Sequence, residues 1–344
     1  MKTNFNKVNE FNECFGHFLS DKEFHTIFDE NPKLVNLKYS LINEECGELK
    51  EAIECNNLKE IVDALSDIKY VVHGFGGAFG INIDREYREF CYIENKNLNV
   101  LSKKMLYTIN CGKSPLNIDN IPWCKYSINL DTILGDNSLS NYQLVKHINN
   151  QYFNTTSRPS TLNNINWNAS KFYGQMKYEY DVMDFYKNLN NKTYRHLIYN
   201  IWGTINILNN NLKIEIDKKH FENIKETLVK LLYSVNTLGI IIGVDLDISF
   251  DIVHNSNMTK ICKNREEAQK TVSWYIKNDK RYNTPSYKEN KYGFVIFNED
   301  TGKILKSINY TPANFDSILP VYNKDKNIEY NIKNIWFPGE FRNK

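Results

Sequence analysis

Apolar residues recur at the spacing of amphipathic helices along most of this chain, and two neighbouring segments near the start carry the pattern most strongly. Residues around 5 to 20 read as a helix, and Asn31-Pro32 marks a break. Asn36 to about Cys55 and Leu58 to about Ala78 then form a helical pair. At about 100° per residue, Leu41, Ile42, Leu49, Ala52 and Ile53 share one side of the first segment. Ile61, Leu65, Ile68 and Val72 make the apolar face of the second. Asp84 opens a further helix running toward Met105, and a second helical region extends from about Lys171 to Lys277. Between them, Gly112-Lys-Ser-Pro115, Ile121-Pro122, Gly135-Asp-Asn-Ser and Ser157-Arg-Pro-Ser interrupt short apolar stretches, as a connector would. Near the end, Tyr292 to Phe297, a turn over Asn298 to Gly302, and Lys303 to Ile308 have the layout of a hairpin. The expected fold is mainly α, a helical bundle with a small C-terminal β-hairpin packed on it.

The polar positions are as informative as the apolar ones. Glu44, Glu45, Glu48 and Glu51 lie on the first acidic helix, and Glu45 falls inside its apolar stripe with Glu48 on the edge. Glu60, Asp63 and Asp67 make a strip along the flank of the second helix, at i, i+3 and i+7. Packed as a hairpin, the two helices aim these carboxylates at one another. Left without a cation, such a cluster repels itself; a hard divalent ion with oxygen ligands removes the repulsion, which makes Mg²⁺ the first expectation and Mn²⁺ an alternative. An isolated E-E-x-x-E reads as solvated surface; Glu45 within the stripe argues against that reading here. Cys46 sits among apolar neighbours and is read as packing rather than as a nucleophile. Gly112-Lys113-Ser114 lacks the earlier glycine of a P-loop.

Glu44-Glu45-x-x-Glu48, then Glu60-x-x-Asp63 and Asp67-Ile-Lys-Tyr70, resembles the E-E-x-x-E…E-x-x-D pattern of the all-α nucleoside triphosphate pyrophosphohydrolases, in particular the MazG-like, phosphoribosyl-ATP pyrophosphohydrolase-like group. Val8 to Phe11, Phe15-Gly-His17, Val62 to Gly74, Phe79 to Asp84, Val253 to Lys260 and Gly302 to Tyr310 extend the likeness over roughly half of the chain. The resemblance implies Mg²⁺-dependent hydrolysis of a nucleoside triphosphate to monophosphate and pyrophosphate. It implies Glu45, Glu48, Glu60, Asp63 and Asp67 as metal ligands, with Glu44, Glu45 and Glu48 as the catalytic set. Asn257, Lys260, Lys303, Lys306, Tyr310 and His17 become candidates for substrate contact, with His73 a further option. Nucleotide-pool house-cleaning, or control of dUTP or dCTP, fits this chemistry; hydrolysis of phosphoribosyl-ATP and a non-catalytic nucleotide sensor or interaction module are the alternatives.

An internal repeat accounts for the spread of these pieces. A shift of 163 residues lays Gly80-Ile-Asn-Ile-Asp84 on Gly243-Val-Asp-Leu-Asp247, Tyr70 on Tyr233 and Leu65 on Leu228. It turns Glu60, Asp63 and Asp67 into Asn223, Glu226 and Lys230. For the preceding helix a shift of 156 matches Leu41-Ile42 to Leu197-Ile198 and replaces Glu44, Glu45 and Glu48 by Asn200, Ile201 and Thr204. The expected organisation is a helical repeat with the acidic site over 1–109, a connector over 110–170, a degenerate repeat over 171–280 and the hairpin with its tail over 281–344. The resemblance implies that single-copy members work as dimers or higher assemblies with sites near subunit interfaces, so the chain is expected to be a pseudo-dimer in itself, with further self-association open.

Composition adds exclusions. The 344 residues carry a net charge of +2, with no basic excess that would make nucleic acid the expected partner. No uninterrupted apolar run of about 20 residues suits a bilayer crossing, and seven cysteines show no C-x-x-C pair. A reduced, cytoplasmic setting is expected, the host cytoplasm if the abundant Asn and Lys reflect a viral genome.

Overall fold

The computed structural model describes residues 2–90 and 191–319. Four helices precede the gap: α1 (Asn4–Phe15), α2 (Ile27–Glu30), α3 (Pro32–Glu54) and α4 (Leu58–Phe79), followed by helical residues 83–90, here α5. After it come α6 (Asn191–Asp217), α7 (Phe221–Ile241), α8 (Leu246–Met258) and α9 (Arg265–Asn278), then strands β1 (Pro285–Asn290) and β2 (Gly293–Asn298). The expected connector and the P-loop-like tripeptide lie outside the described residues.

Capping chemistry sets the ends. Asn31 caps α3 by accepting from the Leu34 N–H at 3.2 Å, with Pro32 supplying a backbone angle suited to the first helical turn. Asn31-Pro32 is therefore the start of the acidic helix, about one turn ahead of the Asn36 expected. Asn57 caps α4 through the Glu60 N–H at 3.4 Å. α1 ends at Phe15 rather than near residue 20, because the His17 N–H folds back onto the Asn12 carbonyl at 2.8 Å across a left-handed Gly16.

The three-residue turn from Cys55 to Asn57 folds α3 against α4 as an antiparallel hairpin, and α6 and α7 form a second one. α4 is enclosed by α1, α3, α7 and α8, which is why nearly every residue from Ile61 to Phe79 is buried. One continuous apolar core runs through both hairpins, from Ile42, Leu49 and Ile53 to Ile205, Leu212 and Ile216. Lys69 of α4 has no exposed surface and donates to the Leu246 carbonyl at 3.1 Å and to Asp247 at 3.3 Å, tying α4 to the start of α8.

The 163-residue correspondence holds across both hairpins. Asn56 and Lys219 share left-handed φ values of 55° and 57° in the two turns, and Gly80 and Gly243 share 70° and 76° after the second helices. A Cβ on Gly76 would lie 2.4 Å from the Ile83 side chain, and one on Gly239 would lie 2.3 Å from that of Leu246, the equivalent contact. Contacts between the halves are reciprocal: Tyr70 packs on Phe250 at 5.4 Å, while their counterparts Tyr233 and Tyr87 meet at 6.3 Å. For the first helices the left-handed turns at Asn56 and Lys219 favour the same 163 over the separate shift of 156. Buried Ile42, Cys46, Leu49 and Ile53 correspond to buried Ile205, Asn209, Leu212 and Ile216, all at 163. A slip of seven residues is two helical turns and nearly preserves an apolar face, so periodicity alone could not separate the two registers.

The C-terminal hairpin forms with a different partner from the one expected. β2 pairs antiparallel with β1, from Pro285↔Asn298 to Asn290↔Gly293, whereas the 303–308 segment makes one bridge, Phe297↔Ile304. That segment leaves the sheet because the Tyr275 hydroxyl takes the Lys306 N–H at 3.0 Å and Ser307 donates to buried Glu267 at 2.5 Å. The chain then returns to α8, where Ser256 donates to the Thr311 carbonyl at 2.8 Å and accepts from the Tyr310 hydroxyl at 2.9 Å.

Gly76→Ala would force a Cβ to within 2.7 Å of the Ile81 carbonyl, an atom of the backbone that cannot rotate away. The substitution is expected to cost about 1–3 kcal/mol, measured as a lower urea midpoint at unchanged m value.

Candidate active site

The seam between α3 and α4 carries the chemistry. Glu45 is half-buried among Ile42, Cys46 and Leu49, all core residues, while Glu44 and Glu48 project on its solvent side. Asp63 and Asp67 of α4 are half-buried beside core residues Val62, Ala64 and Ile68, and Glu60 is exposed in the first turn.

The carboxylates act on one another. Burial pushes Glu45 up to about 9, and Asp67, Glu48, Glu44 and Asp63 push it in the same direction. Asp67 is raised to about 7 by burial and by Asp63, against the opposing pull of Lys260 and Lys306. Glu48 is raised by burial, Glu44 and Asp63, and Asp63 by burial and Glu60. Glu44, Glu45, Glu48, Glu51, Glu60, Asp63 and Asp67 thus lie near enough along the seam for their charges to be felt by a neighbour. Glu45 Oε2 is buried without a hydrogen-bond partner, so the seam holds an acceptor that nothing in the protein satisfies. Among the described residues no three Asp, Glu, His or Cys side chains lie close enough together to hold a metal ion by themselves. The donor set is nonetheless all hard oxygen, and Mg²⁺ characteristically takes one or two carboxylates, waters and substrate phosphates rather than an all-protein cage.

Positive charge reaches the seam from the other end of the chain. Lys260, just past α8, is half-buried and feels Asp67 and Glu45; burial lowers its pKa, the acids raise it, and Lys306 and Lys303 lower it further. Lys303 and Lys306 are exposed, with the Lys306 ammonium 4.5 Å from the centre of the Tyr310 ring. Tyr70 lies on α4 one turn beyond Asp67 and is held far from ionisation by burial, although a hydrogen bond it accepts from the Asn257 side chain opposes this. Its hydroxyl also meets His254 Nδ1 at 3.1 Å. His17 is driven down to about 4 by burial and by Lys38, Lys288 and Lys260, which places its ring amid the cations.

One candidate drops out, and Cys46 keeps the packing role read from the sequence. His73 is fully buried, bonded to the Lys69 carbonyl at 2.6 Å and to Asp84 at 3.1 Å, so both ring nitrogens are engaged in the fold. Burial, then Glu45, pushes the Cys46 thiol up to about 12, leaving it a packing group. Sequence reasoning did not single out Lys38, buried two turns before Glu45 on the same face of α3. Its signal was present as a lysine in the i, i+4, i+7 stripe with Ile42 and Glu45.

The second hairpin shows what the seam becomes without acids. Leu208 stands where the first has Glu45, and the Asp63–Asp67 pair becomes Glu226 and Lys230, an ion pair at 2.6 Å. A cation is built into that hairpin as a side chain.

Residues 8–91 match the family described as phosphoribosyl-ATP pyrophosphohydrolase. The chain is also similar to a protein of Acanthamoeba polyphaga mimivirus described as uncharacterized, 31% identical over 323 residues, covering 92% of this chain and 96% of that one. The shared length takes in the second hairpin and α9, not the acidic segment alone. No solved structure matches the chain.

A carboxyl raised above its unfolded value disfavours the ionised native state, so its stabilising effect is present at low pH and lost as pH rises through the shifted value. For Glu45 this window runs from its ordinary 4.5 to about 9, and for Asp67 from 3.8 to about 7. In EDTA the melting temperature should therefore fall between pH 5.5 and 8.5. Glu45→Gln should remove most of the fall above pH 7 and melt about 2–4 °C above wild type at pH 8.5.

Proposed function

The chain belongs, through residues 8–91, to the MazG-like, phosphoribosyl-ATP pyrophosphohydrolase superfamily, and from that membership we propose that it is a divalent-cation-dependent nucleoside triphosphate pyrophosphohydrolase. The observation that carries the reading is the half-buried Glu45–Asp67 seam, self-repelling and faced by Lys260. A pyrophosphohydrolase-type activity follows from the family as a whole; the cation and the nucleoside triphosphate are the parts proposed here.

In this reading Glu45, Glu48, Asp63 and Asp67 would hold Mg²⁺, with Glu60 a further carboxylate in the first turn of α4. The ion, when bound, neutralises phosphate oxygens and lowers the pKa of water. The protein's part is to arrange charge. Water adds to the α-phosphorus, the bond to the oxygen bridging the α- and β-phosphates breaks, and that oxygen leaves with its electron pair as pyrophosphate. Glu44, on the exposed side of the seam, orients the water and accepts its proton. Lys260 and Lys306, positioned by the end of α8 and by Tyr275 and Ser307, offset the charge that collects on the departing pyrophosphate. Asn257 and Tyr70 form the polar wall beyond them. Phosphoribosyl-ATP, which the matching family's description names, undergoes cleavage of the same bond and is the second candidate substrate.

The reciprocal contacts between the halves support a covalent pseudo-dimer in which a duplicated hairpin has lost its acids and kept its packing role. On that reading the second half contributes Asn257 and Lys260 to the single acidic site.

Pyrophosphate release from canonical and modified nucleoside triphosphates in Mg²⁺ tests the proposal. Glu48→Gln and Asp67→Asn should each lower kcat about 10- to 100-fold or more, with folding intact by circular dichroism. Equal turnover in wild type and both variants would rule the seam out as the reacting centre.

A further inference from the structure

An exposed lysine ordinarily samples many rotamers, but Lys306 is fastened at both ends. Its N–H donates to the Tyr275 hydroxyl at 3.0 Å, and its carbonyl lies 3.1 Å from the same hydroxyl and accepts from it. Ser307 behind it is bonded to Glu267, and the Ile308 N–H donates to Thr271 at 3.2 Å. The Tyr310 N–H then turns back onto the Ser307 carbonyl at 2.9 Å, and the Tyr310 ring meets the Lys306 ammonium 4.5 Å from the ring centre.

The ring is itself fixed. Its hydroxyl donates to Ser256 of α8 at 2.9 Å, and the next residue, Thr311, donates its N–H to Thr259 at 2.9 Å. Asn257, adjacent to Ser256, is hydrogen-bonded to Tyr70, one turn along α4 from Asp67. Farther on, Phe315 is buried in the main core and Asp316 pairs with Lys59, in the first turn of α4, at 3.3 Å. Residues 306–316 thus lead from α9 past the end of α8 to the start of α4. Among the described residues Lys306 makes no ion pair, although Asp63 and Asp67 both feel its charge. A lysine that served stability alone would close onto one of these carboxylates; this one lies against an aromatic face instead.

We infer that Tyr310 is a positioning residue, whose ring holds the Lys306 ammonium beside the acidic seam for the departing pyrophosphate, rather than a ring that stacks on a base. The identity of that anion rests on the proposed function. A cation–π contact suits the task because the ring carries no net charge. It orders the ammonium without neutralising it, whereas a carboxylate partner would cancel its attraction for phosphate.

Two probes test this on the whole chain by calorimetry: Mg²⁺ alone, and imidodiphosphate in saturating Mg²⁺. An ammonium beside carboxylates repels a cation and attracts an anion, so removing it moves the two affinities in opposite directions. Lys306→Met should bind Mg²⁺ about twofold or more tighter at low salt and imidodiphosphate about tenfold or more weaker. Tyr310→Leu should weaken imidodiphosphate about two- to fivefold, and should add nothing when made on top of Lys306→Met. Tyr310→Phe keeps the ring and should stay closer to wild type than Tyr310→Leu. Loss of affinity for both probes together in Lys306→Met, an equal effect of Tyr310→Leu with and without Lys306, or wild-type binding of imidodiphosphate by Tyr310→Leu would overturn the role. Failure of wild type to bind imidodiphosphate would overturn it too. The expected pattern of binding without pyrophosphate release from any nucleoside triphosphate would instead defeat the hydrolase reading and leave the role of Tyr310 standing.

Discussion

Repulsion between carboxylates that the core will not let separate is the constraint on which this structure turns. Glu45 has Ile42, Cys46 and Leu49 around it, and α4 is packed on nearly every side, so neither helix can rotate its acids into water without opening the apolar core. The penalty is visible in the carboxyls themselves: Glu45 and Asp67 are displaced upward, and one Glu45 oxygen has no partner. A fold keeps such an arrangement at a cost in stability, and the cost makes sense when charge of the opposite sign arrives with a ligand.

The rest of the molecule is arranged around that seam. Residues more than 190 positions away in sequence bring Lys260 and Lys306 within reach of Asp67, and they do so through a specific route. Tyr275 and Ser307 pull the chain off β2, and Ser256 ties Tyr310 and Thr311 to α8. The second hairpin supplies the comparison. With Leu208 in place of Glu45 and Lys230 in place of Asp67, it has the same turns, the same buried positions and no need of an external cation. The backbone therefore does not dictate the acids; they are an addition to a hairpin that packs without them.

How much of this was legible follows from the kind of signal each part leaves. Amphipathic spacing located α3 and α4, and the placement of Glu45 in an apolar stripe located the seam, because both are local properties of one helix. The repeat was visible through Gly80 and Gly243, whose left-handed backbone favours glycine in either half. Its register in the first helices was not visible, since a slip of two turns leaves the apolar face almost unchanged. The partner of β2 was missed because Pro285 to Asn290 alternates poorly and is mostly polar, while the segment after Gly302 reads as a better strand. Tyr275 decides that competition from another helix. Lys38 was missed for a related reason. A lysine on a helix looks like solvent-facing surface until the glycine opposite it, Gly74, is known to be opposite.

The most direct test is calorimetric titration of the metal-free protein with Mg²⁺ at pH 7 in two buffers of different ionisation enthalpy. Cation binding at the seam must displace the protons that Glu45 and Asp67 retain at that pH. The account predicts saturable binding with release of about one proton per ion. Binding with no proton release, or no binding, would contradict it.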